Sequence, residues 1–76
     1  GMDTMTPTSA VTNNEVATKI GLDHSMVSRI RGGQRIPSFD SMVSIEAAYG
    51  WPLTEQAISR KRGTYAKDFE AVINTH

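Results

Sequence analysis

Cysteine is absent from the 76 residues, and with it any disulfide framework or thiolate metal site. No apolar run approaches the ~18 residues that a membrane span requires, and no signal-peptide pattern opens the chain, so a cytoplasmic protein without a membrane role is expected. The two histidines, His24 and His76, lie far apart with no clustered carboxylates, and no glycine-rich loop follows a strand. Neither a metal nor a nucleotide cofactor is therefore expected. Asp23, His24 and Ser25 carry the letters of a hydrolase triad. Consecutive residues on one helical turn cannot aim a base at a nucleophile and an acid at the base, so no enzyme is expected. Net charge is also missing, with eight cations against eight acids, which speaks against the uniformly basic surface usual in nucleic-acid partners. The length allows one domain over residues 2–76, which buries only about 60% of its unfolded surface and leaves no room for a separate catalytic unit. Gly1 before Met2 is read as a remnant of tag removal.

The charges that are there are unevenly placed. From His24 to Phe39 there are three arginines (Arg29, Arg31, Arg35) and no acid, and from Gln56 to Lys67 there are Arg60, Lys61, Arg62 and Lys67, again with no acid. The first of these blocks overlaps a stretch rich in helix punctuation, residues 13–33. Val16, Ala17 and Ile20 share one face of a first helix, and Val27 and Ile30 share one face of a second. Thr12 and Glu15 have the spacing of a capping box. Gly21 suits a left-handed exit from the first helix, Leu22 fills the corner, and Asp23 suits the N-cap of the second helix. Ala17 is small enough for a close helix crossing. With Val27 and Ile30 turned inward, His24, Ser25, Ser28 and Arg29 fall on the opposite, exposed face.

The pattern Ala17, Gly21, Val27, Ile30, continued by Ser28-Arg29-Ile30-Arg31-Gly32-Gly33-Gln34-Arg35-Ile36-Pro37-Ser38, resembles the Cro/C1-type (XRE) family of phage and bacterial transcription regulators. The resemblance runs from about Val11 to Trp51. It implies an all-α, compact bundle of five to six short helices with a lambda-repressor-like DNA-binding domain, and double-stranded DNA as partner. On this resemblance, His24, Ser25, Ser28 and Arg29 enter a major groove and contact bases, with Arg29 the principal reader. The family's phosphate contacts fall on Asn13 and Asn14 and on the loop Gly33, Gln34 and Arg35. Arg31 stands where relatives are often acidic and internally paired, and is a possible additional DNA contact. The function implied is a phage repressor or Cro-like protein occluding an operator in a bacterial or phage-infected cell. An antitoxin, or a protein-interaction module that has kept the fold without DNA binding, are the alternatives.

The remainder reads as further helices. A short opening helix is available only over about Pro7 to Val11, with Pro7 suited to a first turn. Ser38 caps a helix to about Tyr49 with Phe39, Met42, Val43, Ile45 and Tyr49 as its apolar stripe, and Gly50 ends it. Pro52 opens a helix whose buried face is expected to be Leu53, Ala57 and Ile58. Arg60, Lys61 and Arg62 in its last turn either complement the helix dipole or touch phosphate. Thr64 is expected to cap a last helix in which Tyr65, Phe69, Val72 and Ile73 form a large apolar stripe. That stripe either closes the core or forms a homodimer contact, the two being about equally expected.

Overall fold

Each of the first two helices is fixed at both ends by local chemistry. The Thr12 hydroxyl accepts from the Glu15 N–H at 3.1 Å while the Glu15 carboxylate accepts from the Thr12 N–H at 3.1 Å, a reciprocal box that satisfies two donors at the start of α1 (Asn13–Ile20). Gly21 leaves that helix at φ 74, a conformation cheap only for glycine, and its N–H donates to the Ala17 carbonyl at 2.8 Å. The Asp23 carboxylate accepts from the Met26 N–H at 2.9 Å and opens α2 (His24–Arg31). Ser38 caps α3 (Phe39–Tyr49), and α4 (Leu53–Arg62) and α5 (Tyr65–Asn74) follow. The computed structural model describes residues 11–75, in which these five helices are present and no strand is found. The expected opening helix, apart from Val11, lies outside the described residues, as does His76.

One apolar cluster joins the helices, with α4 contributing only the half-buried Leu53 at its edge. Val16, Ala17 and Ile20 of α1 meet Val27 and Ile30 of α2, with Met42, Ile45 and Tyr49 of α3 and Tyr65, Phe69 and Ile73 of α5 around them. Trp51 sits on this cluster with its ring centroid 5.0 Å from Tyr65 and 6.3 Å from Phe69. Tyr65, Phe69 and Ile73 are at most 1% exposed, and Val72 packs half-buried against them. Of the two roles expected of Tyr65, Phe69, Val72 and Ile73, the structure fills that of closing the core. Tyr65 and Phe69 stack on each other, Phe69 stacks on Trp51 and Tyr65 lies tilted against it, so these aromatic faces are spent within the chain.

Two apolar stripes are placed differently from the sequence pattern. In α4 the buried residues are Gln56 and Ser59, whereas Ala57 and Ile58 face solvent and Leu53 is half-buried. The reason is polar. The Gln56 amide donates to the backbone carbonyls of Met42 and Trp51, each at 2.9 Å, and its oxygen accepts from the Tyr65 hydroxyl at 2.8 Å. These bonds close off carbonyls that burial would otherwise leave unsatisfied, and they fix the rotation of α4. Burial raises the Tyr65 hydroxyl's pKa, so it remains a donor. In α3, Met42, Ile45 and Tyr49 point inward, but Phe39 is 68% exposed and Val43 is also exposed. Side chains on a helix lean toward its N-terminus, and Phe39 in the first position therefore leans off the end of the bundle.

Thr64 does not cap α5 through its side chain. Its hydroxyl donates instead to the Asp68 carboxylate at 2.8 Å, which also accepts from the Ser59 hydroxyl at 2.5 Å. These two bonds hold the Asp68 carboxyl below the usual aspartate range.

The last helix is also clamped to the second. Arg31 donates from Nε and Nη2 to the two Glu70 oxygens at 2.9 and 2.8 Å, a paired geometry that suits the planar guanidinium. Its Nη1 donates to the Val11 carbonyl at 2.6 Å and to Asn13 Oδ1 at 2.9 Å. The hydrogen bonds from Arg31 are the largest cause holding the Glu70 carboxyl below the usual glutamate range; partial burial opposes them, and the Asn74 amide and the Arg31 charge assist.

Gln56→Leu is expected to lower the unfolding free energy by about 2 to 4 kcal/mol in urea denaturation, since each stranded buried group costs about 1 to 3 kcal/mol. Adding Tyr65→Phe should recover part of the loss. Unchanged stability in Gln56→Leu would show that the amide does not orient α4. For Glu70, a depressed folded pKa means that the stabilisation is complete above the unfolded value of about 4.3 and disappears as pH falls through the folded one. The melting temperature should therefore drop from about pH 5 to about pH 3, and Glu70→Gln should melt lower at neutral pH with a shallower acid drop. Parallel acid profiles for the two proteins would remove Glu70 from this account.

Candidate nucleic-acid interface

The face that α2 shows to solvent follows from what it buries. Val27 and Ile30 are fully buried, so the helical period turns His24, Ser25, Ser28 and Arg29 outward, and all four are exposed. None of the four side chains has a hydrogen bond or ion pair to another described residue, which leaves a hydroxyl pair, an imidazole and a guanidinium available along one side of an eight-residue helix. Met26, on the flank, is half-buried against the core.

The start of α1 supplies a second group of donors. The backbone N–H groups of Asn13 and Asn14 have no partner among the described residues, as expected of a helix's first turn. Asn14 is exposed, whereas Asn13 is half-buried and its Oδ1 is held by Arg31. That bond fixes the amide plane and leaves the two Nδ2 hydrogens as its free donors.

At the exit from α2 the Gly33 N–H donates to the Ile30 carbonyl at 3.1 Å and the Gln34 N–H donates to the Arg29 carbonyl at 2.9 Å. Gly33 has no other donor, and it makes the turn at φ 77. The Gln34 amide and the Arg35 guanidinium are exposed and carry the polar chemistry of this loop, while Pro37 is buried and anchors it.

At Arg31, four hydrogen bonds to Glu70, Val11 and Asn13 occupy most of the guanidinium, which ties α1, α2 and α5 together behind the exposed face of α2. Nothing in the local sequence points to its partner Glu70, which lies 39 residues further on. The four residues expected to read bases thus lie together on α2. Asn13 and Asn14 lie at the end of α1 that Arg31 joins to the C-terminal end of α2, and Gln34 and Arg35 follow directly from that end.

A helix-turn-helix family model matches residues 11–56, more than half of the chain, taking in α1, α2 and α3 and the first turn of α4. Comparison with curated proteins and with solved structures returned no match. No helix among the described residues is long and apolar enough to cross a membrane. With the matched segment coinciding with the two capped helices and the loop and helix that follow them, the chain belongs to the Cro/C1-type (XRE) helix-turn-helix family of DNA-binding transcriptional regulators.

Proposed function

We propose that the protein is a sequence-specific repressor, of the phage-repressor or Cro-like kind, that occupies an operator and excludes polymerase without chemistry. The observation that carries this reading is the outward face of α2, where His24, Ser25, Ser28 and Arg29 are exposed and unpartnered beside two fully buried anchors. A helix held this way can enter a major groove, where arginine pairs bidentately with guanine O6 and N7 while serine and histidine make less discriminating bonds. Asn13 and Asn14 at the helix start and Gln34 and Arg35 in the exit loop would fix the register on phosphates. The cytoplasm of a bacterial or phage-infected cell is the corresponding place of action.

The antitoxin alternative loses its main support, because α5 spends its apolar face on the chain's own core and has none left to cap a toxin. A protein-interaction module without DNA binding would have no reason to keep residues 24–39 free of acids.

Binding-site selection from random DNA followed by gel shift tests the reading. Arg29→Ala should weaken binding to the selected site by about 1 to 3 kcal/mol and relax preference at one base pair. Arg35→Ala should weaken all sequences alike and reduce the salt slope by about one. If both variants lose affinity in the same sequence-independent way, the division of roles is wrong, and if no sequence is enriched, the repressor reading is wrong.

A further inference from the structure

The second acid-free block, residues 56–67, lies largely outside the segment shared with the family, and it folds into the corner where α4 ends and α5 begins. Arg60, Lys61, Arg62 and Lys67 are all exposed there, and none forms an ion pair among the described residues. Glu55 and Asp68 border the block in sequence. The Asp68 carboxylate is turned back onto the Ser59 and Thr64 hydroxyls, and the charges of Lys67 and Arg62 act on it, so one acid offsets part of a corner that carries four cations.

Helix electrostatics account for only part of this cluster. Cations in the last turn of α4 complement the negative end of its dipole. Lys67 has the opposite position. It stands third in α5, where the positive end of the dipole disfavours a cation, so the dipole gives no reason for it, although its charge acts on the neighbouring Asp68.

Position then matters. A Cβ built on Gly33 would lie 3.8 Å from the Ala66 Cβ, in ordinary van der Waals contact, so the first turn of α5 rests against the loop that leaves α2. One helical turn further on, Glu70 locks α5 to α2 through Arg31. The corner is thus a rigid neighbour of Gln34 and Arg35.

We propose that the α4–α5 corner, centred on Arg62 and Lys67, is a further phosphate-binding surface that carries the DNA interface past the exit loop onto the flank of the operator. The ligand is the sugar-phosphate backbone, bound without base readout, beside the phosphate held by Arg35. The inference rests on the DNA-binding reading above. It adds a contact made by the part of the chain that lies beyond the family segment.

The test is the salt dependence of binding to the duplex selected by the parent protein, measured by fluorescence anisotropy for the parent, Arg62→Gln, Lys67→Gln and the double variant. Each cation that meets a phosphate contributes about 0.9 to the slope of log affinity against log salt, so the double variant should lose nearly two. Its base preference and melting temperature should stay those of the parent. Trimming the duplex to the base-read core should reproduce the lower slope with the parent protein and leave the double variant unaffected. Slopes that match the parent's, on long and short duplexes alike, would overturn the proposal while leaving the repressor reading intact. A parent protein that binds no DNA would overturn both.

Discussion

Arg31 is the side chain through which three parts of the molecule are held in one geometry. It leaves the last turn of α2, takes both oxygens of Glu70 on α5, and reaches back to Val11 and Asn13 at the start of α1. Such a group is costly to desolvate, and the arrangement works because nearly every donor of the guanidinium is used. Only 19% of its side chain remains exposed, so the interaction is less screened than a surface pair, and removing one partner would leave a half-buried charge alone. The consequence for function is positional. The donors that would meet phosphate at the start of α1 and the helix that would read bases cannot shift independently.

The same preference for satisfied polar groups over apolar pattern governs α4. Leu53, Ala57 and Ile58 suggest an apolar stripe, yet the helix turns Gln56 and Ser59 inward. Burying Ile58 would bring about 1.5 to 3 kcal/mol of transfer free energy. Turning Gln56 out would strand the Met42 and Trp51 carbonyls and the Tyr65 hydroxyl, each at a cost of about 1 to 3 kcal/mol. Three stranded groups outweigh one isoleucine. Ile58 stays in solvent, as single surface apolar residues commonly do.

This contrast marks what was legible in the sequence and what was not. The boundaries of α1, α2 and α3 were readable because the Thr12–Glu15 box, Gly21, Asp23, Ser38 and Gly50 act within a few residues of one another. The outward face of α2 was readable for the same reason, since two buried residues three apart fix the rotation of so short a helix. What tertiary contacts decide was not readable. The partner of Arg31 lies 39 residues away, the rotation of α4 depends on carbonyls in α3 and at Trp51, and the exposure of Phe39 depends on where the bundle ends. The Gly33 N–H escaped notice because local sequence does not reveal that a loop donor is already spent on the helix behind it.

The role of α5 follows from these constraints together. A chain of this length has little core to spare, and the helices of the family segment leave Trp51 and the inner faces of α2 and α3 in need of cover. Tyr65, Phe69 and Ile73 supply that cover, while Glu70, on the neighbouring face of the same helix, meets Arg31. Once the apolar stripe and the carboxylate are both fixed, α5 has no freedom to rotate, and the place of its first turn against Gly33 is set as well. The closing of the core therefore determines which residues stand next to the exit loop. A helix whose first task is to exclude water from Trp51 and Phe69 also decides what charge lies beside the loop that follows α2.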